Sequence, residues 1–215
     1  MSRHNNVKFI LKFYIHDNDE TLKEMYKDAI KNHNNAVLTS KHPDSGFDLY
    51  TPLSEIAEIN NAIHVCHDRN QQSLNPNLTP FTGTVKGSMK VKTAMYRMYK
   101  DDNDKLVEEP CGFYLFPRSS ISKTRVRLAN NTGIIDSGYR GCLAGMFDIL
   151  PQDIFTQQNR ELNGDVNILD DYHRLLQICS PSLEPFIIEL LLDNSQLDTT
   201  ERGGQGFGST GTGQF

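Results

Sequence analysis

No stretch of the chain approaches the ~18 consecutive apolar residues that would mark a membrane span. The first residues, Met1-Ser2-Arg3-His4-Asn5-Asn6, lack the apolar core of a secretory signal. No CxxC pair occurs, and Cys66, Cys111, Cys142 and Cys179 lie far apart. Together these absences predict an intracellular, cytoplasmic protein with reduced thiols rather than a disulfide framework. A basic excess is missing too. With 22 basic and 27 acidic residues the net charge is -5, which argues against a general nucleic-acid binder. It leaves room for a small anion at a local basic site. There is no internal repeat. What remains is a chain of 215 residues, 37% hydrophobic, with mean hydropathy -0.51. That predicts a soluble chain of one ordinary domain with a modest core. One oddity stands out: six of the 15 glycines lie between Gly203 and the end.

Val7, Phe9, Leu11, Phe13 and Ile15 alternate with mostly polar residues, the period of a half-buried strand. The period then changes. Leu22, Met25, Tyr26, Ala29 and Ile30 follow helical spacing, Asn18 or Asp19 can cap the start, and the region from Asn32 to Asn35 predicts the stop. From Ala36 onward the chain reads as short strands between turn residues: around Val37, then Met89 to Tyr99, Phe113 to Phe116, Arg125 to Leu128, Gly141 to Ile149 and Arg174 to Cys179. Ile187 to Leu192 is a further apolar run. Many short strands at this spacing predict an all-β sandwich or jelly roll. The polar stretches 66–88 and 151–172 read as loops or insertions, and Asp101 to Glu109 as an acidic hairpin.

Three segments could carry chemistry. In Gly133-Ile134-Ile135-Asp136-Ser137-Gly138-Tyr139-Arg140-Gly141 an apolar strand end delivers an aspartate and then an aromatic ring. A plain hairpin turn explains this; so does a carboxylate held at the lip of a site. In Phe116-Pro117-Arg118-Ser119-Ser120 a strand ends beside a guanidinium and two hydroxyls. That set caps a short helix or holds a phosphate. In the terminus, Gly206, Gly208 and Gly211 match GxGxxG, but no strand pattern precedes them and no helix pattern follows, so the dinucleotide reading fails. The better reading is a flexible arm. Its N–H groups, with Arg202, Ser209 and Thr210, would fold over an anion while Phe207 stacks on a flat ring. His64, Cys66 and His67 form a weak metal candidate without a second ligand pair. Asp101, Asp102, Asn103 and Asp104 lack the glycine and distal glutamate of a calcium loop.

As a set, these segments resemble the trimeric dUTPase family, whose five ordered motifs all have counterparts here. Motif one is similar to Ser45-Gly46-Phe47-Asp48-Leu49-Tyr50, motif two to Pro117-Arg118-Ser119-Ser120, and motif three to Gly133 through Gly141. Motif four is similar to Arg174-Leu175-Leu176-Gln177, and motif five to Arg202-Gly203 with Gly206-Phe207-Gly208-Ser209-Thr210-Gly211. The chain departs from the pattern at Tyr172-His173, where the family usually has Gly-Asp or Gly-Glu. Segments 19–34, 66–88 and part of 151–172 look like additions to the family core.

The resemblance implies an all-β, jelly-roll-like domain over 1–200 with one or two short helices, and a flexible arm over 201–215. It implies hydrolysis of dUTP to dUMP and pyrophosphate, with Mg²⁺ on the triphosphate and no direct protein ligand to the ion. Asp136 would be the general base. Asp48 would support Arg118 or the hydrated ion. Arg118, Ser119, Ser120 and Gln177 would hold the inner phosphates, and Arg202, Ser209 and Thr210 the terminal one. Asn130 and the hairpin at Gly133 would read uracil, Tyr139 would exclude a 2′-hydroxyl, and Phe207 with Gly208 would cap the base. The family's sites are shared in a homotrimer: motifs one, two and four come from one subunit, three from a second and five from a third. A dCTP deaminase on the same fold and a non-catalytic dUTP-binding module are the alternatives.

Overall fold

The structure is a computed structural model that describes residues 7–72, 83–151 and 168–206. The first strand, β1 (Phe9–Ile15), buries every second residue, as its alternation predicts. Helix α1 (Glu20–Thr39) follows, and Asp19 caps it by accepting from the Leu22 N–H at 3.1 Å. Its buried stripe is Leu22, Tyr26, Ile30 and Val37. Each such side chain stabilises the fold by roughly 1.5–3 kcal/mol when fully buried.

The expected stop near Asn32–Asn35 does not occur, and Val37 is helical rather than extended. The cause is tertiary. Strand β11 (Ile187–Leu190) lies at one edge of a sheet ordered β11-β1-β4-β5, where β4 is Val91–Lys100 and β5 is Leu106–Cys111. Asn34 donates to Ile188 O at 2.8 Å and accepts from Ile188 N–H at 2.9 Å. Its side-chain amide takes the place of a neighbouring strand, and this satisfies an edge that would otherwise be unpaired. The helix must run past residue 34 for this to happen.

A second helix, α2 (Leu53–Gln72), replaces what reads in sequence as turn-separated strand and polar loop. Its buried face, Ile56, Ile59, Ile63 and Cys66, sits at helical spacing. Glu55 accepts from the Ser88 N–H at 2.9 Å, and Asn60 exchanges two hydrogen bonds with the Leu169 backbone. The stretch 66–88 is therefore helical at its start and ends in β3 (Gly83–Ser88). Both helices have 20 residues, longer than the short ones expected.

The remaining strands are β2 (Gly46–Leu49), β6 (Phe113–Pro117), β7 (Val126–Leu128), β8 (Gly133–Ile135), β9 (Ala144–Ile149) and β10 (Leu176–Cys179). They form sheets ordered β2-β10-β6-β8 and β3-β9-β7. All pairings are antiparallel except β1 with β11. The architecture is the mostly β, jelly-roll-like one expected. Phe13 of β1 meets Phe47 of β2 edge-on at 5.8 Å and Tyr26 of α1 at 5.0 Å, so one core joins two sheets and a helix. None of the four cysteines is in a disulfide. No helix among the described residues is long and apolar enough to cross a membrane.

Candidate functional site

Strand register assembles one half of the site. β10 lies between β2 and β6, so Gln177 is opposite both Asp48 and Phe116, and Leu176 is opposite Pro117. Arg118 leaves the end of β6 with its N–H bonded to Leu175 O at 2.9 Å. Motifs one, two and four, which are spread over more than a hundred residues of sequence, thereby meet at one sheet end.

Asp48 is the hub. One of its oxygens pairs with Arg118 Nε at 2.7 Å and the other with Arg174 Nη1 at 3.1 Å. Arg118 also donates to Ser120 Oγ at 3.2 Å and to the Arg174 carbonyl at 3.4 Å. A plain solvent position for Arg118 is thus excluded: its side chain is only 25% exposed. Ser119 starts a five-residue 3-10 turn, Ser119–Lys123, rather than an α-helix. Gln177 Nε2 donates to Pro117 O at 3.2 Å. A side chain at residue 46 would collide with the Gln177 amide, so Gly46 leaves that amide its place.

These groups face a cleft of about 880 Å³, whose other wall is α1, with Asn32, His33 and Ala36. His33 hydrogen-bonds the Phe186 carbonyl at 2.9 Å, and burial lowers its pKa. Burial likewise lowers that of His173, beside Arg118 and Arg174. Periodicity in the sequence gave no sign that α1 would wall this cleft, because that depends on which sheet end the helix crosses.

The second half lies elsewhere. Asp136 follows β8, and β8 pairs with β6 so that Ile135 is opposite Phe113 and Asp136 lies beside Gly112. Arg118 is at the other end of β6. Six residue steps at ~3.3 Å set the two backbones about 20 Å apart within one chain. Asp136 is half exposed and pairs with Arg202 at 2.6 Å. Tyr139 is half-buried, donates to Cys142 O at 2.9 Å, and has its phenol pKa raised by burial. Asn130 is exposed in the turn before β8, where Asn131 takes the left-handed conformation (φ 57°).

Residues 198–206 run along this same loop. Arg140 N–H donates to Gly203 O at 2.7 Å, and Thr200 Oγ1 donates to Gly138 O at 2.5 Å. Thr200 Oγ1 also accepts from Gly203 N–H at 3.1 Å, and Gly203 takes a positive φ of 52° that favours glycine. Arg140 pairs with Asp198 at 2.9 Å. Asp198 and Thr200 carry no signal in sequence beyond adjacency to motif five, and Arg140 carries none beyond its place in motif three. Phe207, Gly208, Ser209 and Thr210 lie outside the described residues.

No group of three His, Cys, Asp or Glu side chains that could hold a metal gathers among the described residues. Cys66 is buried in the core while His64, on the same helix, is exposed. Both oxygens of Asp48 are engaged by guanidinium groups. Two guanidinium groups beside two hydroxyls and an amide form a donor set that suits an anion such as a phosphate.

No protein-family profile matches the chain. A curated relative, the deoxyuridine 5'-triphosphate nucleotidohydrolase of Escherichia phage T5, is 29% identical over 114 residues, 52% of this chain and 67% of the relative. A solved structure of a Staphylococcus bacteriophage 80alpha dUTPase mutant with dUpNHpp covers 79% of this chain and 87% of its own, at 17% identity and a TM-score of 0.32. The chain is thus similar to the T5 protein over about half its length, and the five motif segments resemble those of dUTPases in their order.

Proposed function

We propose that the chain is a dUTP diphosphatase, hydrolysing dUTP to dUMP and pyrophosphate in a homotrimer with shared active sites. The observation that carries this is the phosphate clamp. Asp48 holds two guanidinium groups beside Ser119, Ser120 and Gln177 at the mouth of a cleft of nucleotide size. A planar guanidinium fixed by a carboxylate binds phosphate oxygens with little loss of side-chain freedom.

The separation of about 20 Å between the Asp136 and Arg118 backbones supports sharing. A base must come within hydrogen-bond reach of the water it activates, so one chain cannot supply both base and clamp to the same α-phosphorus. A neighbour's Asp136 facing this chain's clamp removes the difficulty. Water oxygen then forms the new bond to the α-phosphorus, and its proton passes to Asp136. The bond from the α-phosphorus to the bridging oxygen breaks, and pyrophosphate leaves with that electron pair. Mg²⁺ held by the triphosphate would neutralise part of the charge on the leaving group. Asn130 and the backbone from Gly133 would read uracil. A site with fixed donors and acceptors rejects cytosine strongly, because a mismatch leaves buried polar groups unpaired. Tyr139 would close on the deoxyribose, and Phe207, Gly208, Ser209 and Thr210 would complete the site with Arg202.

The test is pyrophosphate release from dUTP, dCTP, dTTP and UTP in parallel, with Mg²⁺. Release from dUTP alone is expected. Ammonia from dCTP would assign a deaminase instead, and dUTP binding without turnover would leave a binding module.

A further inference from the structure

We infer that Tyr172 is a positioning residue for the phosphate clamp: held by the cap of α1, it sets where Arg174 stands. The inference rests on the reading of the clamp as the phosphate site and adds what fixes its more exposed guanidinium.

The two arginines of the clamp are held unequally. The Arg118 side chain reaches Asp48, Ser120 and the Arg174 carbonyl, and it is 25% exposed. The Arg174 side chain has Asp48 at 3.1 Å and the Tyr50 ring at 5.7 Å, and it is 44% exposed. Its place therefore depends more on the backbone that carries it. That backbone leaves a turn in which His173 N–H donates to Asp170 O at 3.2 Å. Within the turn Tyr172 takes a φ of 53°. A bulky side chain disfavours this left-handed conformation, which persists only where the surroundings hold it.

The holding contact comes from α1. Tyr172 Oη donates to Asp19 Oδ2 at 2.7 Å, while Asp19 Oδ1 accepts from the Leu22 N–H that it caps. A bond to an ionised carboxylate is of the stronger kind. One residue on, the His173 carbonyl accepts from Thr51 N–H at 3.2 Å. Helix α1 reaches the clamp a second time through Tyr26, whose hydroxyl exchanges two hydrogen bonds with the backbone of Tyr50, and the Tyr50 ring lies under Arg174. Without the Tyr172 hydroxyl bond the turn can relax to an ordinary φ. The Arg174 carbonyl then moves away from Arg118, and its guanidinium from Asp48.

The test reads anion affinity apart from turnover. Inorganic tripolyphosphate is titrated calorimetrically into the full chain, and KM and kcat for dUTP are measured on the same preparations. Tyr172→Phe is expected to weaken tripolyphosphate binding about tenfold and to raise KM by the same factor. Its kcat should be nearly unchanged, since a clamp that holds substrate and transition state alike acts on KM. Asp19→Ser keeps a capping oxygen for α1 but loses the one that Tyr172 holds. It should match Tyr172→Phe, and the double variant should be no weaker. Tyr172→Gly should restore both constants, because glycine takes the left-handed conformation without an anchor.

A merely structural tyrosine would lower the urea midpoint in Tyr172→Phe and leave the affinity as it was; that result overturns the inference. So does a glycine variant as weak as the phenylalanine one, additive losses in the double variant, or a wild-type chain that binds no tripolyphosphate. Arg174→Ala should weaken tripolyphosphate binding at least as far as Tyr172→Phe, and an undiminished affinity also overturns the inference. Failure of the diphosphatase reading looks different: dUTP releases no pyrophosphate, while the order of tripolyphosphate affinities stands.

Discussion

The phosphate clamp and the motif-three loop are built by different means. The clamp stands on the ends of three adjacent strands, and its hub, Asp48, is locked by the ladder between β2 and β10. The loop from Asp136 begins where the three-residue β8 ends and has no ladder of its own. It is held by side-chain bonds from Thr200 and Arg140 and by the ion pair to Arg202. The clamp is preformed by backbone pairing, so the proposed binding of phosphate would require little rearrangement. The loop borrows its order from the arm's root, so its geometry depends on a few replaceable side chains.

The contrast is broken most directly at the two charged residues of opposite duty. Asp136→Asn is expected to lower kcat on dUTP by about 10²–10⁴-fold while leaving the dissociation constant for dUTP nearly unchanged in equilibrium titration. Near-normal turnover would remove Asp136 from the role of base. Asp48→Ala should act on the other side of the reaction. With both guanidinium groups released, kcat/KM is expected to fall on the order of 10²-fold, most of it in KM, with circular dichroism unchanged.

Asn34→Ala probes the clamp's outer wall through α1. It removes two hydrogen bonds to Ile188, and a buried backbone pair left unsatisfied costs about 1–3 kcal/mol. Urea denaturation should report that loss. Thr200→Val tests the weaker partner of the comparison. Losing its bond to Gly138 O, worth about 1 kcal/mol, should lower kcat/KM about fivefold and speed amide exchange at 137–141 without touching exchange at 46–49.

The smallest expected effect is with pH. His33 and His173 both flank the clamp, and burial lowers the pKa of each. In the unfolded chain they take up protons near the ordinary 6.5; in the fold they resist. Their contribution to stability is therefore complete above about pH 6.5 and is lost as pH falls below it. The urea midpoint should drop between pH 7.5 and 5.5, and His33→Gln should flatten that drop. An unchanged slope would mean that neither ring is held neutral by the fold.

The legible part of this molecule was the part written in local periods and local motifs. Alternation marked β1, an i, i+3, i+4 stripe marked the start of α1, and the five motif segments stood out in order. The far end of α1 was not legible, because Asn32 to Asn35 is a stop signal by local preference. Only the unpaired edge of β11 turns Asn34 into a reason to continue. The helix α2 carried its signal in Ile56, Ile59 and Ile63, but the polar residues between them suggested turns, and short apolar spacings do not separate helix from strand without their packing partners.

The sequence by itself determined the chemistry on offer: one aspartate beside a tyrosine, arginines next to serines, a glycine-rich end, and a mostly β chain to carry them. Those are properties of residue identity and near-neighbour spacing, which a linear string contains in full. The tertiary structure alone decided which groups share a site. Register on β10 joined Asp48, Arg118 and Gln177, and the length of β6 set the Asp136 backbone about 20 Å from that of Arg118. The docking of 198–206 set Arg202 beside Asp136 within the chain. Distances between residues far apart in sequence are fixed by strand pairing and packing, and no local pattern encodes them.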